Sequence, residues 1–98
     1  MLVYSIEQIK DLITPVARNY GVERVMLFGS YARGEAREDS DVDFHVDAGN
    51  VRDLFALSGF MLDLEETLGK KVDVVTSGGI RREFRKRIKP DEVVLYEQ

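Results

Sequence analysis

Two periods of apolar residues divide this chain into alternating helices and strands. Ile6, Ile9, Leu12, Ile13 and Val16 recur at helical spacing behind Ser5-Ile6-Glu7-Gln8, which has the form of a capping box. They predict a first helix running to about Tyr20, with Pro15 as a kink or an early stop and Gly21 as its end. Arg24 to Phe28 is a short apolar run that stops abruptly at Gly29-Ser30, the pattern of a strand entering a turn. Ser30 is placed to cap a short helical segment through Arg33, and the polar stretch from Gly34 to Ser40 reads as a loop.

From Asp41 the period changes to two. Val42, Phe44 and Val46 fall on one side of a predicted strand, with Asp41, Asp43, His45 and Asp47 on the other. Asn50 is placed to cap a second long helix, whose stripe is Val51, Leu54, Phe55, Leu57, Met61, Leu64 and Leu68 and whose stop is Gly69. Lys71 to Thr76 predicts a third strand. Ser77-Gly78-Gly79 turns into a basic helix over about Ile80 to Arg87, and Pro90-Asp91 separates it from a last extended piece, Val93 to Tyr96. The expected fold is α/β, of the α+β kind: a small mixed sheet packed with helices.

Ninety-eight residues with 44% hydrophobic content suit one domain, expected to span 1–98, with a single layered core. A separate substrate domain does not fit in that length. The sequence has no cysteine, so any metal must be held by oxygen or by the lone His45, which favours a hard cation such as Mg²⁺. The start, Met1-Leu2-Val3-Tyr4, lacks a signal-peptide pattern and no segment is long and apolar enough for a membrane span, so a cytoplasmic protein is expected. The net charge of −4 argues against direct nucleic-acid binding, yet its distribution is uneven. Glu35 to Asp47 carries −5, and Arg81 to Lys89 carries +5.

The chemistry concentrates in Gly29-Ser30-Tyr31-Ala32-Arg33-Gly34 and Ser40-Asp41-Val42-Asp43. Asp41 and Asp43, two residues apart on one strand face, lie ~6.5 to 7 Å apart along it and can converge on the same cations. Asp73 is the candidate third carboxylate, because Val72 and Val74 point to the opposite face of its strand. At Gly29-Ser30, glycine lets backbone approach a phosphate, while exposed N–H groups and the serine hydroxyl donate to it. Arg33 fits two uses, a bidentate phosphate contact or pairing with the acidic loop. His45 and Asp47 are read as an ordinary polar neighbour and as strand-end solvation. The run Arg81 to Lys89 fits a solvated face, a triphosphate contact or an acidic partner surface.

These residues resemble the signature of the DNA polymerase β-like nucleotidyltransferase superfamily, in particular its minimal (MNT) members. The resemblance extends over Lys71-Val72-Asp73-Val74-Val75 and the ending Val93-Val94-Leu95-Tyr96-Glu97. It implies the polymerase β-like fold, with Asp41 and Asp43 as ligands of two Mg²⁺ and Asp73 as ligand of one and helper in deprotonating the acceptor. Gly29 and Ser30 would hold the β- and γ-phosphates of ATP while AMP passes to the acceptor. MNT proteins of this size also resemble the antitoxins of HEPN/MNT toxin–antitoxin modules. That likeness implies a HEPN-type RNase toxin as partner, one of its tyrosines as acceptor, and silencing by both AMP transfer and direct binding.

Two further readings stand beside this one. The chain could be a non-catalytic module of the same fold that neutralises its partner by contact, although a pure binder has no need of three clustered carboxylates. Transfer to a small molecule would call for a second domain. The shortness of the chain favours an acceptor brought by a partner protein.

Overall fold

The computed structural model describes residues 3–49, 51 and 53–98. Helix α1 (Ile6–Tyr20) starts in the expected capping box: Gln8 N–H donates to Ser5 Oγ at 3.1 Å, and Ser5 N–H donates to Gln8 Oε1 at 2.9 Å. Pro15 lies inside the helix without ending it. Strand β1 (Arg24–Phe28) leads into a single helical turn, α2 (Ser30–Arg33), and β2 (Val42–Asp47) follows the polar loop. Helix α3 (Leu54–Leu68), β3 (Val72–Thr76), α4 (Arg82–Ile88), a 3₁₀ turn (Lys89–Asp91) and β4 (Val93–Glu97) complete the order.

The four strands form one mixed sheet in the order β3-β2-β1-β4. β1 pairs antiparallel with β2 and with β4, and β2 pairs parallel with β3. A parallel pair needs a crossover, which α3 supplies. α1 and α3 cover one face, where Val25, Leu27, Val42, Phe44 and Val46 meet Ile9, Ile13, Ala17, Phe60, Leu64 and Leu68 in the main core. Tyr20 Oη donates to Asp63 Oδ2 at 2.6 Å and ties the two helices together. The other face, carrying Met26, Phe28, Asp43 and His45, is crossed by α4, whose Phe84 ring meets the Phe28 ring edge-on at 5.9 Å.

The α3 stripe differs from its expected form. Leu54 and Phe55 are 79% and 91% exposed, and Phe60, absent from the expected stripe, is wholly buried. The helix is apolar on both sides, so periodicity alone did not select the inner one. Asn50 lies outside the described residues; the observed cap is Asp53, which accepts from Ala56 N–H at 2.8 Å. α4 starts at Arg82, two residues later than Ile80, and Pro90-Asp91 forms part of a 3₁₀ turn. No helix among the described residues is long and apolar enough to cross a membrane.

Tyr31 Oη is buried and finds no hydrogen-bond partner among the described residues. An unpaired buried hydroxyl costs its desolvation without return. Tyr31→Phe should therefore raise stability by about 1 kcal/mol, read from the midpoint of denaturant unfolding.

Candidate active site

Parallel pairing of β2 with β3 sets Asp43 and Asp73 directly opposite each other at the strands' entry end. Neighbours across a ladder point the same way, so both carboxylates stand on the face opposite the α1–α3 core. Asp41 precedes the first residue of β2, and the period of two puts it on the same face. Burial pushes the Asp43 carboxyl up to about 6, reinforced by the charges of Asp73 and Asp41 and a hydrogen bond with Asp73, against a weaker opposing pull from Arg33. Among the described residues, no three His, Cys, Asp or Glu side chains are gathered tightly enough to hold an ion as they stand.

The turn after β1 closes on these acids from the side. Gly29 has φ +78° and ψ −156°, a conformation only glycine adopts readily, and it is the N-cap of α2. A Cβ placed on it would lie 3.1 Å from Asp43 Cγ and overlap Oδ2. Backbone therefore touches carboxylate at this point, and a side chain has no room. Ser30 is the first helical residue rather than the cap, and no side-chain cap bond forms. Among the described residues its hydroxyl makes no hydrogen bond, and the first N–H groups of α2 have no partner within the helix. Arg33 is held through Nε by Glu35 at 3.0 Å and through Nη1 by Asp91 at 3.2 Å.

A second group of polar side chains lies further along the same face, and sequence reasoning undervalued it. His45 is 2% exposed and is held through Nδ1 by Glu92 and through Nε2 by Ser77 at 2.8 Å. Ser77 donates its hydroxyl proton to Asp47. Asp47 in turn accepts from Arg24 Nε at 2.8 Å. Partial burial pushes the Asp47 carboxyl up, but the Ser77 hydroxyl and the Arg24 guanidinium outweigh it and hold it below the usual range. Asp47 is therefore a paired residue rather than a solvated strand end. His45 is a buried junction between β2, the turn after β3 and the start of β4. The local sequence carries no signal for this, since Glu92 lies 47 residues from His45.

Residues 8–98 match the Polymerase beta, Nucleotidyltransferase family. The chain belongs to that family. Among curated relatives, this nucleotidyltransferase is 43% identical over 84 residues to the candidate protein adenylyltransferase MJ0435 of Methanocaldococcus jannaschii, covering 86% of this chain and 90% of that one. It is 34% identical over 92 residues to the protein adenylyltransferase MntA of Thermococcus cleftensis, covering 90% and 93% of the two chains. Among solved structures, a minimal nucleotidyltransferase superposes with a TM-score of 0.78 at 33% identity, over 92% of this chain and 95% of that one. A toxin–antitoxin complex with AMP-PNP gives the same TM-score, 0.78, at 23% identity, over 91% of this chain and 73% of that one, a likeness of fold. The expected small mixed sheet and polymerase β-like nucleotidyltransferase fold are thus borne out.

Two outcomes follow from the crowding at Asp43. Gly29→Ala should lower nucleotidyl transfer by ~10²-fold or more by displacing that carboxylate, whereas Gly34→Ala, at φ +73° with nothing within 4 Å of the added Cβ, should cost only about 1 to 2 kcal/mol of stability. Paired activity and melting measurements separate the two. The second outcome concerns pH. Asp43 has its pKa raised from 3.8 to about 6 in the folded chain, so folding holds its proton more tightly than the unfolded chain does. Its contribution is fully present below pH 3.8 and lost as pH rises through about 6. In EDTA, Asp43→Asn should remove that fall and leave the protein more stable than wild type at pH 7, as read by denaturant midpoints at several pH values.

Proposed function

We propose that this chain is a protein adenylyltransferase, moving AMP from ATP to a hydroxyl of a partner protein. The observation that carries the reading is Asp43, pressed between the Gly29 backbone and Asp73 with Asp41 beside it. The names of the two curated relatives support protein as the acceptor class. Neighbouring folds include a tri-AMPylated HEPN toxin of Shewanella oneidensis with its MNT antitoxin, at a TM-score of 0.73 and 20% identity. We accordingly take the partner to be a HEPN-type RNase toxin, the acceptor a tyrosine, and this chain the cytoplasmic antitoxin.

The donors suit Mg²⁺. All three carboxylates are hard oxygen ligands, and Asp43, raised first by burial and then by the charges of Asp73 and Asp41, is a carboxylate whose neighbours' charge a cation would relieve. Asp41 and Asp43 would hold two ions, with Asp73 on one of them. Bound there, Mg²⁺ neutralises charge on the entering and leaving oxygens of an in-line displacement. Ser30 Oγ and the first N–H groups of α2 bind the β- and γ-phosphates, and Arg33 adds positive charge at their edge. Asp73, at the outer side of the group on β3, accepts the proton of the attacking hydroxyl. Attack on the α-phosphorus forms the new phosphate ester as the bond to the β-phosphate breaks, and pyrophosphate leaves.

The test uses the purified chain, α-labelled ATP, Mg²⁺ and the protein encoded next to its gene. Label should appear on that protein, fall ~10³-fold in Asp41→Asn and Asp43→Asn, and fall ~10²-fold or more in Asp73→Asn. Equal labelling by wild type and Asp41→Asn/Asp43→Asn would overturn the metal-site assignment. Tight binding of the neighbour with no label at all would favour the non-catalytic module that acts by contact.

A further inference from the structure

Arg81 to Lys89 places six cations and one acid, Glu83, in nine residues. All six cations are exposed, and among the described residues none forms a salt bridge. Two arginines outside this run behave differently: Arg24 is held by Asp47 and Glu97, and Arg33 by Glu35 and Asp91. The acids next to α4 in sequence are already engaged, Asp91 by Arg33 and Glu92 by His45.

This arrangement is unfavourable for α4 in isolation. Arg81 and Arg85, Arg82 and Lys86, and Arg85 and Lys89 are like charges one turn apart, each pair repelling on the helix surface. Arg81 and Arg82 also sit at the positive end of the helix dipole, where acids are favoured. Glu83 in the first turn and Arg85, Lys86 and Arg87 in the last suit the dipole, and Arg85 and Lys89 line a pocket with Asp47 and Glu92, which offsets part of this repulsion. Six exposed cations with no salt bridge among the described residues still leave a net positive surface that an acidic surface from outside would match. The helix is also fixed beside the candidate active site, since Phe84 packs against Phe28, the residue before Gly29 and the register partner of Asp43.

We propose that α4 is the docking surface for the protein that brings the acceptor, and that it recognises an acidic patch on that protein. This rests on the adenylyltransferase reading above. The six cations extend over ~12 Å of helical rise, so one triphosphate held at Gly29-Ser30 meets only a fraction of them. A long nucleic-acid strand running from α4 past Phe28 would reach Asp43 and Asp73, whose carboxylates repel phosphate. A folded protein with a local acidic patch can cover α4 and avoid them.

The experiment reads binding without turnover, so a failure of AMP transfer counts against the proposed reaction and leaves this surface to be judged separately. A fluorescent tyrosine peptide of about fifteen residues rich in Asp and Glu, its Lys-rich counterpart, a poly-U RNA and MgATP are titrated against wild type, Arg82→Glu/Lys86→Glu and Arg82→Gln/Lys86→Gln. The acidic peptide should bind and the Lys-rich one should not. Its affinity should fall about tenfold or more in the Glu variant, less in the Gln variant, and also on raising salt. MgATP affinity should stay within about twofold, and melting temperatures should hold or rise as repulsion is relieved. Equal peptide binding by all three proteins overturns the proposal. So does RNA binding tighter than the acidic peptide, or a fall in MgATP affinity that keeps step with the loss of peptide.

Discussion

The parallel pairing of β2 with β3 is the constraint from which the site follows. It sets Asp43 level with Asp73, and a slip of one residue would turn one of them into the apolar core. Parallel strands cannot be joined by a tight turn, so their register depends on how the crossover helix packs. Phe60, Leu64 and Leu68 on the inner side of α3 are almost wholly buried, and Glu65 Oε2 accepts from Val72 N–H at 3.1 Å at the very start of β3. The helix therefore fixes where β3 begins, and with it the level of Asp73. On the other side of β2, antiparallel β1 delivers Gly29 against Asp43, so one carboxylate is located by both of its neighbours.

That location has a cost, and the fold handles charge differently at its two ends. Along the far part of the same sheet face, acids are matched: Asp47 by Arg24 and Ser77, and Glu92 by His45. At the entry end, burial and the unmatched charges of Asp73 and Asp41 push the Asp43 carboxyl up to about 6. Unmatched charge is retained where a ligand is expected and removed where only the fold is served. Such a departure from local optimisation is what a stability–function trade-off looks like in one small sheet.

Much of this was legible in the chain. The capping box at Ser5, the period of two from Val42 to Asp47 and the Gly29-Ser30 stop each have a local cause, and each formed the element expected of it. Asp73 was found because Val72 and Val74 fix the faces of its strand, although its level with Asp43 depended on a crossover no window of sequence contains. The failures have one origin. Which side of α3 turns inward, and what His45 and Asp47 touch, are decided by residues far away in the chain. Ser30 was misread by one position because Gly29 takes a backbone conformation that moves the cap back to itself.

Arg33 and α4 are linked through the short 3₁₀ turn between them. Asp91 reaches to Arg33 and Glu92 to His45, and these two contacts anchor the connection from α4 into β4 on either side of the sheet's centre. The same contacts engage the two acids that follow α4 in the chain, and Arg33 stands near enough to Asp43 to oppose the rise of its pKa. These contacts tie the start of the last strand to the sheet and orient the arginine beside the phosphate turn, while the cations of the basic helix form no salt bridge among the described residues. The 3₁₀ turn that follows the basic helix thus also braces the arginine beside the phosphate turn, so the basic surface and the carboxylate cluster are held to each other through the same short segment.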